Sequence, residues 1–170
     1  MSPLSLRAEQ IKAGDQMPSL AVAVSATTVV MGASATRDWQ PQHHDHAWAT
    51  QRAGTRDIFL NTPTQAGWIS RYVTDWSGPA GRLGRMAFRM KATICPGDVM
   101  NINGRVKRVS RDESNCCWAE LEIDIKVGET LCTACEVAVA LPSANGADNP
   151  WKRQGEQWRV AELATSTAKT

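Results

Sequence analysis

The sequence predicts an α+β fold in which one long helix, at about residues 62–76, covers the buried face of an antiparallel sheet. Apolar and polar residues alternate at period two through most of the second half of the chain, which is typical of strands with one buried face. The alternating segments are separated by short turns, and short turns favour antiparallel neighbours. A single well-signalled amphipathic helix precedes them, so helix and sheet are expected to share one core.

The first elements are short. Residues 20–24 predict a strand, and Ser25 is placed to cap a helix that runs to near Arg37. The residues that follow, as far as His43, are expected to form a loop, because Pro41 lacks an N–H and disfavours helix at the residue before it.

The central helix carries the clearest signals. Asn61 or Thr62 can cap it, Pro63 suits its first turn, and Gly78 and Pro79 end it. Its apolar positions recur at helical spacing and form one stripe: Ile69, Tyr72, Val73 and Trp76.

Four strands are predicted after this helix, at residues 86–94, 99–110, 117–127 and 131–141, with Gly104 as a candidate β-bulge. Residues 1–141 are therefore interpreted as one domain. Beyond Pro142 the periodicity is lost, and residues 142–170 are expected to form a tail that is partly disordered or packed on a partner.

Composition excludes several classes of function. The formal net charge is +2, from 19 basic and 17 acidic residues spread along the chain, which gives no support to nucleic-acid binding. No apolar run approaches the length of a membrane span, and the first residues lack the hydrophobic stretch of a signal peptide. A cytoplasmic location is therefore expected.

The five cysteines indicate buried, reduced thiols rather than a disulfide framework, because their number is odd. Cys132 and Cys135 have CxxC spacing but lie in a predicted strand, where residues three apart point to opposite faces. A redox or zinc role for this pair is therefore disfavoured.

The three histidines of the chain, His43, His44 and His46, lie within four residues, next to Asp38 and Asp45. One interpretation is a metal site, although no further histidine is available to complete it. A second is a solvated polar loop. The third is a general acid/base pair formed by Asp38 and His43.

The segment Asp38-Trp-Gln-Pro-Gln-His43-His-Asp45 resembles the hydratase motif of the MaoC-type (R)-specific enoyl-CoA hydratases, Asp-x-Asn-Pro-x-His-x-Asp. Gln40 stands where that family usually has Asn. Two flanking segments also resemble the family, and the resemblance covers roughly residues 14–140; these segments are Gly14-Asp15-x-Met17-Pro18 and Pro96-Gly97-Asp98.

A closer resemblance, through residues 35–79, is to the small catalytic subunits of bacterial enoyl-CoA hydratases that act in steroid side-chain degradation. It implies a single hot-dog domain that hydrates a trans-2-enoyl-CoA thioester to the (R)-3-hydroxyacyl-CoA, reversibly, in steroid or fatty acyl side-chain β-oxidation. It also implies a homodimer, or a heterotetramer with a second hot-dog subunit. No metal and no cofactor other than the CoA thioester substrate are expected.

The resemblance assigns Asp38 and His43 as the catalytic residues. Many family members carry His-Gly where the central helix begins and use the Gly N–H as an oxyanion donor, but this chain has Asn61-Thr62-Pro63. The helix start, with Asn61, Thr62 and Thr64, is therefore the expected site for the thioester oxygen. Basic residues are candidates for the CoA phosphates: Arg82, Arg85, Arg89, Lys107, Arg108 and Arg111.

Two other functions fit the same fold. An acyl-CoA thioesterase would direct water at the thioester carbonyl, and the Asp–His spacing argues against it. A non-catalytic acyl-binding subunit of a hetero-oligomeric hydratase would not need both Asp38 and His43.

Overall fold

The computed structural model describes residues 5–143 and 148–160. A five-stranded antiparallel sheet has the order β1-β3-β4-β5-β2. The strands are β1 Leu20–Ala23, β2 Arg82–Met90, β3 Val99–Arg111, β4 Cys117–Val127 and β5 Thr130–Leu141, and the α-helices are α1 Ala26–Ala35, α2 His46–Gln51 and α3 Thr62–Ser77. The predicted hot-dog architecture is confirmed. Among the described residues, no helix has both the length and the apolar character to cross a membrane.

Helix α3 lies on the inner face of the sheet, as its apolar stripe predicts. Ile69 and Val73 are completely buried in one core with the central strands. The buried side chain of Gln65 is satisfied there, because its Oε1 accepts a 2.6 Å hydrogen bond from Thr133 Oγ1 on β5. A buried amide without such a partner would destabilise the fold, so this contact also fixes how helix and sheet are aligned.

Gly104 is not at a bulge, which corrects the prediction for β3. It pairs regularly with β4, and the register shift falls between Val106 and Arg108. A Cβ on Gly104 would lie 2.6 Å from Met17 Sδ and 3.1 Å from the Tyr72 ring. Glycine is needed here for the close approach of α3 and the N-terminal segment.

Strand β2 begins and ends four residues earlier than predicted, at Arg82 and Met90. The regular ladder ends at Met90, because Lys91 N and Ala92 N both donate to Cys132 O. Two residues further on, Ile94 O accepts a hydrogen bond from Leu60 N. A register shift at residues 83–85 interrupts the alternation near the start of β2. The sequence pattern alone therefore misplaced both ends of this strand.

The five cysteines are free and buried. Burial raises the pKa of Cys116 and of Cys135 to about 12. The predicted opposite facing of Cys132 and Cys135 is wrong, because a register shift beside Cys132 breaks the strand alternation and both residues belong to the same core.

The C-terminal segment 148–160 packs on the outer face of the sheet, at the end where Trp118 lies. The ring centroids of Trp158 and Trp118 are 4.9 Å apart, and the Arg82 guanidinium lies 3.7 Å from the Trp158 ring centroid. Asp112, in the β3–β4 turn, accepts a hydrogen bond from Trp118 Nε1. The remainder of the predicted tail, apart from residues 142–143, lies outside the described residues.

Candidate active site

Asp38 and His43 face each other across the turn that follows α1. The Asp38 N–H donates to Ala33 O at the end of α1, and a 3₁₀ turn at Pro41–His43 brings the chain back. Asp38 Oδ2 and His43 Nε2 are 3.5 Å apart. The structure thus brings together the two residues that the sequence predicts as an acid/base pair.

The tautomer of His43 is set by its second ring nitrogen. Nδ1 lies 2.7 Å from the carbonyl oxygen of Phe59, and because a carbonyl can only accept, Nδ1 carries the hydrogen. In the neutral imidazole, Nε2 is then an acceptor, and it lies 3.4 Å from the side-chain nitrogen of Gln42 as well as 3.5 Å from Asp38 Oδ2. His43 is 3% exposed and packs edge-on against the Phe59 ring, so its orientation is fixed.

The carboxylate of Asp38 is held by two donors. Asn61 Nδ2 donates to Oδ2 at 2.9 Å, and the main-chain N–H of Gln40 donates to Oδ1 at 3.3 Å. The hydrogen bond from Asn61, followed by that from Gln40 and the proximity of His43, holds the pKa of Asp38 below its ordinary value, although burial acts in the opposite direction. Asp38 is therefore an anion at neutral pH.

The helix start lies directly beside this pair. Asn61 is the N-cap of α3, and its Oδ1 accepts from the N–H of Thr64 at 3.0 Å. Thr64, which the sequence placed at the expected site for the thioester oxygen, therefore has no free N–H to offer. Pro63 has no N–H, so Thr62 N–H is the one first-turn donor for which the described residues provide no acceptor.

The other members of the histidine cluster support the local backbone. Asp45 caps α2 through Trp48 N, and His46 Nδ1 lies 2.8 Å from Asp57 Oδ1. His44 is exposed. No three His, Cys, Asp or Glu side chains in the described ranges are arranged to hold a metal ion.

A shallow groove of about 310 Å³ lies near the pair, although neither Asp38 nor His43 lines it. It runs between α1 and α3, and Thr36 connects it to the site because its Oγ1 accepts from Asn61 Nδ2 at 2.8 Å. Its walls are mostly apolar or small: Gly32, Ala35, Thr36, Pro63, Thr64, Gly67, Trp68 and Arg71.

Most of the basic candidates for CoA phosphates are already engaged. Lys107 pairs with Glu136 at 2.9 Å, and Arg108 pairs with Glu120. Arg111 pairs with Glu9 at 3.0 Å, and Arg82 packs against tryptophan rings. Within the described part of the chain, only Arg85 and Arg89 of this set, both on β2, lack an ion pair or an aromatic contact.

The sequence did not predict two groups that hold the catalytic pair. The carbonyl oxygen of Phe59 accepts from His43 Nδ1, and the side-chain amide of Asn61 donates to Asp38. A main-chain carbonyl carries no residue signature. The capping role of Asn61 was visible before Pro63, but its second contact depends on how α1 and α3 pack.

No sequence-family model matches the chain. The 3-oxo-4,17-pregnadiene-20-carboxyl-CoA hydratase beta subunit of Mycobacterium tuberculosis is 36% identical to it over 97 residues, which are 57% of this chain and 74% of the relative. The ChsH1-ChsH2 complex of the same organism contains a chain with a TM-score of 0.68 and 26% identity, covering 76% of this chain and 97% of that one. An (R)-hydratase from A. caviae involved in PHA biosynthesis has a TM-score of 0.70 and 21% identity over 79% of this chain and 99% of its own, which supports the fold alone.

The hydratase relative, together with a hot-dog domain whose Asp–His pair lies beside the central helix, places the chain in the hydratase and dehydratase class of enzymes. The 36% identity to the mycobacterial hydratase subunit narrows the assignment from this enzyme class to one family. The chain belongs to the MaoC-like (R)-specific enoyl-CoA hydratase family.

Proposed function

We propose that this protein hydrates a trans-2-enoyl-CoA thioester to the (R)-3-hydroxyacyl-CoA, reversibly, with Asp38 and His43 as its catalytic residues. The observation that supports this proposal most strongly is that Asp38 Oδ2 and His43 Nε2 lie 3.5 Å apart. The hydrogen of the neutral His43 ring is on the other nitrogen, Nδ1. Both facing atoms are then hydrogen-bond acceptors. A water molecule between them can donate one hydrogen to each.

The reaction needs a base for water and an acid for carbon. In our proposal, His43 Nε2 takes a proton from the bound water as the water oxygen adds to C3, and the imidazolium returns a proton to C2. Because the pKa of Asp38 is held low, its carboxylate is a weak base, and its proposed role is to orient the water and stabilise the imidazolium. Water and proton arrive from one side of the double bond, so the addition is syn.

Negative charge develops on the thioester oxygen as water adds. The N-terminus of α3 lies beside the pair, and Thr62 N–H is the donor proposed for that oxygen, supported by the dipole of a 16-residue helix. Backbone donors held by a helix need no reorganisation during the reaction.

The acyl group is proposed to lie in the groove between α1 and α3. Thr36, which lines this groove, is linked to Asp38 through Asn61, and the groove has room beside Gly67, where a Cβ would meet no atom within 4 Å. A steroid or fatty acyl side chain would bury apolar surface there. The steroid class is supported by the mycobacterial relative, which is a 3-oxo-4,17-pregnadiene-20-carboxyl-CoA hydratase subunit.

The proposed assembly is a heterotetramer with a second hot-dog subunit, or a homodimer. The likeness to a chain of the ChsH1-ChsH2 complex supports a hetero-oligomer. Strand β2 is an edge of the sheet and carries Arg85 and Arg89, so a partner on this side would place these cations at the interface.

One assay separates hydration from its alternatives. Loss of the conjugated enoyl absorbance without release of free thiol is the expected result for short-chain, long-chain and steroid enoyl-CoA thioesters, tested with and without a candidate partner. Thiol release would instead indicate a thioesterase. No change in either signal with any thioester would leave an acyl-binding role and refute the proposal.

A further inference from the structure

Asn61 makes three hydrogen bonds that join three parts of the site. Its Oδ1 accepts from Thr64 N in the first turn of α3, and its Nδ2 donates to Asp38 Oδ2 and to Thr36 Oγ1 at the end of α1. The residue is 2% exposed. All of its side-chain atoms that can form hydrogen bonds are therefore used inside the protein.

The orientation of this amide is not ambiguous. The Thr64 N–H can only donate, so the atom facing it must be the amide oxygen, and the NH₂ group then faces Asp38. Thr36 agrees with this direction, because its hydroxyl hydrogen is directed to Gly32 O at 2.8 Å and its lone pair is available to Asn61. Each donor in the network thus has one acceptor assigned to it.

We infer that Asn61 is a positioning residue for the acid/base pair: through its side-chain amide, the N-cap of α3 holds the Asp38 carboxylate directed at His43 Nε2. This inference rests on the proposed function. Gln40 meets Asp38 through its main-chain N–H, so the side-chain amide on the carboxylate comes from residue 61.

The surroundings of Asp38 make this role specific. The titratable or charged side chain that faces it within the described residues is His43, on the turn after α1, and α3 presents only the neutral amide of Asn61. Removing the amide should therefore raise the pKa of Asp38, since the hydrogen bond from Asn61 is the main cause that lowers it. The loss of activity caused by protonation of Asp38 should then begin at higher pH.

Three variants separate positioning from helix capping. Asn61→Ser keeps an acceptor for Thr64 N–H and loses the amide, Asn61→Ala loses both, and Asn61→Asp keeps the acceptor and places a second carboxylate against Asp38. We expect kcat to fall roughly 10- to 100-fold in Asn61→Ser with little change in KM. Loss of activity through Asp38 protonation should begin at higher pH in Asn61→Ser and at higher pH still in Asn61→Asp. Thermal unfolding should be near wild type for Asn61→Ser and lower for Asn61→Ala.

A carbon-13 NMR titration of the Asp38 carboxyl gives a result that does not depend on turnover. A higher Asp38 pKa in Asn61→Ser than in wild type supports the inference even if wild type hydrates no thioester, an outcome that would refute only the proposed function. An active wild type with an unchanged kcat, pH profile and Asp38 titration in Asn61→Ser would overturn the inference and leave Asn61 as a helix cap.

Discussion

Replacing Gly67 with Ala should stabilise the protein. Gly67 lies inside α3, is exposed, and a Cβ there would meet nothing within 4 Å. Glycine in a helix interior costs about 1 kcal/mol relative to alanine, mostly because the unfolded chain loses more freedom. The expected gain is therefore about 1 kcal/mol in the free energy of unfolding, or a rise in Tm of about 2–4 °C for a chain of this size.

Gly32 provides the matched opposite case. It also lies inside a helix, α1, but a Cβ there would be 2.4 Å from Thr64 Oγ1 and 2.8 Å from Thr64 Cγ2. The same helix gain of about 1 kcal/mol is then opposed by overpacking of about 1–3 kcal/mol. Gly32→Ala should be neutral to destabilising by about 2 kcal/mol, because α1 must move away from α3.

Urea unfolding of wild type and both variants at one protein concentration measures the two effects. The account requires Gly67→Ala to have a higher midpoint than wild type, Gly32→Ala to have a lower or equal one, and the m-values to agree. A Gly67→Ala protein that is less stable than wild type, or two variants with equal midpoints, would refute the described packing of α1 against α3.

The C-terminal segment and acid sensitivity give two further predictions. Trp158→Ala removes the ring that packs on Trp118 and Arg82, and it should lower the free energy of unfolding measured in urea by about 2 kcal/mol. The control Trp39→Ala, at a site that is 70% exposed, should change that free energy by less than about 0.5 kcal/mol. Equal effects of the two substitutions would contradict the described packing. Burial of Asp112 acts to raise its pKa, but its hydrogen bonds with Trp118 and the neighbouring turn outweigh this and hold the pKa below its ordinary value. The stabilising contribution of Asp112 is thus present above the unfolded pKa of about 4 and is lost as the pH falls through the lower folded value. Asp112→Asn should therefore be less stable than wild type at neutral pH and should lose less stability on acidification. Parallel curves of unfolding free energy against pH for the two proteins would contradict this prediction.

Local sequence signals predicted the parts of this molecule that depend on short-range chemistry. The start of α3 followed from Asn61 and Pro63, and the facing of Asp38 and His43 depended on one loop stiffened by Pro41. The central strands followed from period-two alternation. These features are determined by residues close together in the chain.

Features that depend on packing between distant segments could not be predicted in this way. The close contact at Gly104 involves Met17 and Tyr72, and the register shift near Cys132 arises from pairing with β4. The hydrogen bond from Thr64 N–H to Asn61 could be anticipated from the capping role of Asn61. The contact of Asn61 with Asp38 could not, because it depends on how α1 packs against α3.

The central claim, that Asp38 and His43 act as one catalytic unit, is tested most directly by enoyl-CoA hydration with Asp38→Asn, His43→Gln and the double variant, with exposed His44→Ala as the control. Each single variant should lower kcat by roughly 10²- to 10⁴-fold, and the double variant should be little worse than either, because the two residues share one water. His44→Ala should retain wild-type kcat. Independent, multiplicative losses, or a single variant with near wild-type turnover, would contradict the account.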